Sequence, residues 1–131
     1  MSGGVVTLIV TLEQTETVRL DRDRLGALYR QLGEDGAEDV VCRAIEELAT
    51  RLSICERMWR DGNGPGLSKC ARSLIAIAEQ IGMSALARVA GDVCAAVDAG
   101  DDAAAGATLF RLIRTGERSL SAVWDSQDLS V

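Results

Sequence analysis

The chain contains no histidine. No imidazole is therefore available as a nucleophile, and mixed cysteine and histidine metal patterns are excluded. Aromatic residues make up only 3% of the sequence, and there is one proline in 131 residues. With so few large flat side chains, alanine, leucine and valine must fill the interior, which suits closely packed helices better than a β-sandwich. The near absence of proline fits, because proline breaks helix interiors. No segment approaches the roughly 20 apolar residues that span a bilayer. The opening MSGGVVTLIVTLEQ has no preceding basic residue and no convincing cleavage site, so it reads as mature sequence and the expected location is cytoplasmic. No stretch matches the phosphate-binding pattern G-x-x-x-x-G-K-[ST], since Gly62-Asn63-Gly64-Pro65-Gly66 carries no lysine.

What the chain does have is length for one domain and an excess of acid. Its formal net charge is −6, which argues against a globally basic nucleic-acid-binding surface. Cys42, Cys55, Cys70 and Cys94 show no C-x-x-C spacing and read as small buried thiols of a reducing compartment, without metal. Adjacent carboxylates at Glu46-Glu47 and Asp101-Asp102 point to different helix faces or sit at caps, so neither is an acid/base pair. No cofactor-binding or catalytic constellation emerges, and the expectation is a protein that is not an enzyme.

Two regions are expected. Residues 1–20 form an extended arm, with a strand over 5–12 (VVTLIVTL) and a second extended piece at 16–20 that could complete a hairpin. Residues 21–131 form an all-α, antiparallel up-and-down four-helix bundle preceded by a short helix. Asp21 or Asp23 can cap that short helix, which carries Leu25, Leu28, Tyr29 and Leu32 and ends at Gly33. The next helix places Val41, Ile45, Leu48, Leu52, Cys55 and Trp59 at alternating steps of four and three, a continuous apolar seam. After the glycine-rich turn, Pro65 suits a first helical turn, and Leu67, Cys70, Leu74, Ile77 and Ile81 repeat the seam. Beside it runs a second apolar row, Ala71, Ile75 and Ala78. Ser84 is a natural N-cap for a helix over Leu86, Val89, Val93 and Val97; Gly100-Asp101 turns into the last helix, with Leu109, Ile113, Gly116, Leu120 and Val123. Trp59 and Trp124 read as packing residues near helix ends.

One stretch carries a resemblance. Arg72-Ser73-Leu74-Ile75-Ala76, followed by Gly82 and then Met83-Ser84-Ala85-Leu86, resembles the His-x-Leu-Lys-Gly region of histidine phosphotransfer (HPt) domains, and Ala99-Gly100-Asp101 resembles that family's turn before the last helix. The resemblance spans about residues 19–125. It implies a surface that docks on a receiver domain or histidine kinase of two-component signalling. It also implies that phosphotransfer is lost. Arg72 stands for the histidine, and a guanidinium has no free lone pair with which to attack phosphorus. Ile75 replaces the lysine that balances the phosphoryl charge, and Ala76 replaces the glycine that leaves room for the partner. Lys69, Arg72, Ile75 and Ala76 are thus the expected partner-binding residues, sharing one exposed face. The alternative is a structural homodimer unrelated to phosphorelay, associating through the N-terminal strands or the Ala71-Ile75-Ala78 row.

Overall fold

A computed structural model describes the backbone of residues 22–130 and the side chains of residues 26–121. The expected arm and its strands, and the Asp21 and Asp23 caps, lie outside these limits. Four helices fill the described part: α1 Arg22–Arg60, α2 Gly64–Gln80, α3 Ser84–Asp98 and α4 Asp102–Ser130. Each packs on its chain neighbour and α1 closes the ring against α4, the arrangement of an up-and-down bundle. No strand occurs among the described residues.

The break expected at Gly33 is present. Its φ of 76° and ψ of 176° are non-helical, so α1 is two helical stretches meeting at this residue. After it, the seam residues Val41, Ile45, Leu48, Leu52 and Cys55 are all buried, and Leu48 and Cys55 are fully so. Facing them are Leu67, Cys70, Leu74 and Ile81 of α2, Leu86, Val89 and Val93 of α3, and Leu109 and Leu112 of α4. Burying one such leucine is worth roughly 1.5–3 kcal/mol, so the seams set which face of each helix turns inward.

The three connections share one turn. A glycine with positive φ (Gly62, Gly82, Gly100) follows each helix, and the next residue donates its N–H five residues back: Asn63 to Met58 O at 2.8 Å, Met83 to Ala78 O at 2.8 Å and Asp101 to Ala96 O at 3.1 Å. This Schellman pattern satisfies carbonyls that a helix end leaves unpaired. The same residue then accepts the first bond of the following helix, from Leu67, Ala87 and Ala105 respectively. A glycine and one further residue thereby end one helix and begin the next, which forces tight antiparallel hairpins.

At two of the turns that further residue caps with its side chain: Asn63 Oδ1 accepts from Gly66 N at 2.9 Å, and Asp101 Oδ1 from Ala104 N at 3.0 Å. Pro65 lies in the first turn of α2, as expected. The third turn corrects the reading of Ser84. Met83 is the N-cap, without a side-chain bond, and Ser84 is already helical. The backbone bond from Met83 to Ala78 fixes the turn one residue earlier, and the Met83 side chain is buried at 2% exposure, so packing replaces polar capping.

Two glycines of α4 receive large side chains from α1. A Cβ at Gly106 would lie 2.9 Å from Trp59 Cζ2, and one at Gly116 would overlap Leu52 Cδ1. Trp59 is a second correction, since its ring lies across Gly106 with 39% of the residue exposed and does not continue the buried seam. Cys42 is a third: it is exposed on α1, whereas Cys55, Cys70 and Cys94 are buried. Trp124 is not at a helix end, because α4 continues to Ser130.

Candidate interaction surface on helix α2

The turn geometry sets which residues of α2 face outward. Leu67, Cys70, Ala71, Leu74 and Ala78 are drawn into the core. Steps of three and four along the opposite side then expose Lys69, Arg72 and Ala76 as one stripe in the middle of the helix. Ile75 does not join it. It is half-buried against the core, and its Cδ1 reaches α3, lying 4.0 Å from where a Cβ of Gly91 would be. The expected four-residue face is thus three exposed residues with Ile75 at its inner margin. The Ala71-Ile75-Ala78 row is taken up by the bundle too, with Ala71 and Ala78 fully buried.

Arg72 has a partner that its position in the sequence does not announce. Its Nη2 lies 3.0 Å from Asp98 Oδ2, with side-chain exposures of 64% and 54%. The other carboxylate oxygen accepts from Ser68 Oγ at 3.3 Å. Asp98 ends α3, and Ser68 and Arg72 are one turn apart on α2, so a single carboxylate clamps two α2 side chains. A signal for this existed: Asp98 follows Gly82 by nearly as many residues as Ser68 precedes it, and antiparallel neighbours meet at matched distances from their turn. Below the clamp, the Cys94 thiol donates to Ser68 O at 3.5 Å, and burial pushes that thiol above its ordinary range.

Two other regions have the shape of a site. A cleft of about 300 Å³ opens at the end of the bundle beside Met58, Trp59, Asn63, Leu67, Val97 and Asp102. Its walls are polar and apolar in near-equal share and hold one carboxylate, Asp102. On α4, Phe110 is 62% exposed, and the Arg114 guanidinium stands 5.0 Å from its ring centroid. Among the described residues, no three cysteine, aspartate or glutamate side chains converge to hold a metal, and no helix is long and apolar enough to cross a membrane. Comparison of the chain with protein-family models, with curated proteins and with solved structures gave no match.

Proposed function

We propose that this chain is a non-catalytic, HPt-like helical-bundle binding protein that engages a receiver domain or histidine kinase through α2 and acts by occupancy, without phosphotransfer. One observation carries the reading. Lys69, Arg72 and Ala76 form an exposed stripe at mid-helix, at the positions where the resemblance puts a phosphotransfer face, in a chain with no histidine. Two cationic heads one turn apart suit the carboxylate-rich pocket of a receiver domain, and guanidinium binds carboxylate in a bidentate fork. Ala76 keeps the approach low beside them.

The test is a titration of the full chain against each receiver domain encoded by the source genome. Saturable binding to at least one is expected, weakened at least tenfold by Arg72→Glu with the helical circular dichroism unchanged. Failure to bind any of them overturns the reading. A structural homodimer is the second reading, favoured by Phe110, which is largely exposed on α4 one turn along from the Trp59 and Gly106 contact. Sedimentation across serial dilution separates the two, and a monomer at every concentration removes the homodimer.

A further inference from the structure

The α1–α2 interface contains a thiol pair that the proposed function does not use. Cys55 lies seven residues before Gly62 and Cys70 seven residues after Asn63, so the tight turn brings them to the same height on facing helices. Both are in the core, at 0% and 6% exposure, and they are not disulfide-bonded. The Cys70 thiol donates to the carbonyl oxygen of Arg51 at 3.2 Å. In an α-helix that carbonyl also accepts from the N–H four residues on, which is Cys55. The Cys70 sulfur is therefore lodged against the α1 backbone beside Cys55, and each thiol acts on the acidity of the other.

Arg51 adds a second, independent element. Its Nε is buried and has no hydrogen-bond partner in the protein, an uncompensated donor that costs free energy until an acceptor forms beside it. The positive guanidinium charge favours the thiolate form of either sulfur. The two thiols are driven apart in acidity. The neighbouring Cys55 thiol first, and then Arg51, draw the Cys70 thiol below its ordinary range against the opposing effect of burial. The neighbouring Cys70 thiol, together with burial, holds Cys55 above the ordinary thiol range. One sulfur is thus poised as the nucleophile while the other keeps its proton.

We propose that Cys55 and Cys70 are an oxidation site, at which a hydroperoxide oxidises Cys70 and Cys55 resolves the product to a disulfide joining α1 to α2. In the first step the Cys70 thiolate attacks one peroxide oxygen, the O–O bond breaks, and the leaving oxygen takes a proton and departs as water or alcohol, leaving Cys70 as a sulfenic acid. In the second, the Cys55 sulfur attacks the Cys70 sulfur, the S–O bond breaks, and the departing hydroxide takes the Cys55 proton and leaves as water. Two thiols lose two electrons and two protons, and the peroxide gains them. Cys94 is not part of the pair, since its thiol is committed to the Ser68 carbonyl on the α2–α3 side.

The test uses the full chain at micromolar concentration, treated with hydrogen peroxide, alkylated, digested with trypsin and analysed by mass spectrometry. Peptides 52–57 and 70–72 are expected joined and two hydrogen atoms lighter than the sum of the free pair, released by dithiothreitol, with the helical circular dichroism intact at the time of linkage. The Cys55→Ser chain should instead accumulate Cys70 sulfenic acid, detected by dimedone labelling; where that variant fails to fold, the unsubstituted chain alone decides. Arg51→Met should slow Cys70 oxidation several-fold. The proposal is overturned when Cys55 and Cys70 both remain alkylatable after peroxide, when Cys70 advances to sulfinic acid without linkage, or when linkage appears only after the helical signal is lost.

Discussion

Replacing Gly116 with alanine sets two effects of similar size against each other, and the geometry decides the winner. In an ordinary helix interior, Gly→Ala stabilises by about 1 kcal/mol, because alanine restricts the unfolded chain and shields the backbone. Gly91 on α3 offers that ordinary case: an added methyl would meet only Ile75 Cδ1 at 4.0 Å. At Gly116 the methyl would overlap Leu52 Cδ1 and lie 3.1 Å from Cδ2 and 3.4 Å from Cγ. Leu52 is itself buried at 6% exposure, so it has no open space to turn into, and overpacking of this kind costs about 1–3 kcal/mol. Gly91→Ala should therefore stabilise by ~0.5–1 kcal/mol, while Gly116→Ala should range from neutral to ~2 kcal/mol destabilising. The gap between the two identical substitutions isolates the Leu52 contact. Urea denaturation at a shared m-value measures it, and thermal midpoints should separate by several degrees, at roughly 3–4 °C per kcal/mol for a domain of this size. Adding Leu52→Ala to both backgrounds completes the cycle, with a coupling of about 0.5–3 kcal/mol expected only in the Gly116→Ala background. Equal stabilisation by the two alanines would refute the reasoning, because Leu52 would then not be seated on Gly116.

Three further outcomes are expected. Asn63→Ala removes the acceptor for the Gly66 N–H and should cost about 0.5–2 kcal/mol in urea titration; an unchanged midpoint would show that the backbone turn carries the cap alone. Arg72→Ala should change stability by less than about 1 kcal/mol, because its pair with Asp98 is solvent-screened on both sides, and a much larger loss would reveal a desolvated pair. The Tyr29 phenol is pushed up from 10.0 to about 12 by burial first and then by the Glu38 and Glu34 carboxylates. Its folded form holds the proton longer than the unfolded chain does. Its contribution to stability is therefore complete below pH 10 and is lost as pH rises to 12. Tyrosinate absorbance should show Tyr29 ionising late, and titration at the ordinary value would contradict its packing against the bundle.

The seams were legible because burial enforces their period. Val41, Ile45, Leu48, Leu52 and Cys55 announce an inward face whatever their partners are, and Gly33, Gly62, Gly82 and Gly100 announce the breaks. The exposed stripe on α2 followed by subtraction, since residues between two buried rows must face water. What depends on a second helix was not legible. Ile75 looked as available as Ala76, and only the approach of α3 at Gly91 turns it inward. Trp59 continued the seam numerically, but at the end of α1 its ring is directed sideways over Gly106. The pairing of Arg72 with Asp98 and the nearness of Cys55 to Cys70 were encoded as near-equal distances from a turn, which becomes usable once the turn is known to be three residues long. The Ser84 cap failed for a local reason: a buried methionine displaced a good polar cap.

Asp98 gives the α2 stripe an occupant of its own. Its carboxylate already lies on the Arg72 guanidinium, so a partner offering a carboxylate there does not meet a vacant cation and must exchange one acid for another. The displaced carboxylate would then be left at the C-terminal end of α3, where the helix dipole is also negative, an unfavourable place for it. Under the proposed function, binding at Arg72 would be a competition within the chain's own surface, with the fraction of molecules having Arg72 released scaling the apparent affinity. The ion pair contributes little to holding the fold together, and by the same small margin, about 1 kcal/mol or less, it would lower the affinity of an acidic partner about fivefold at most.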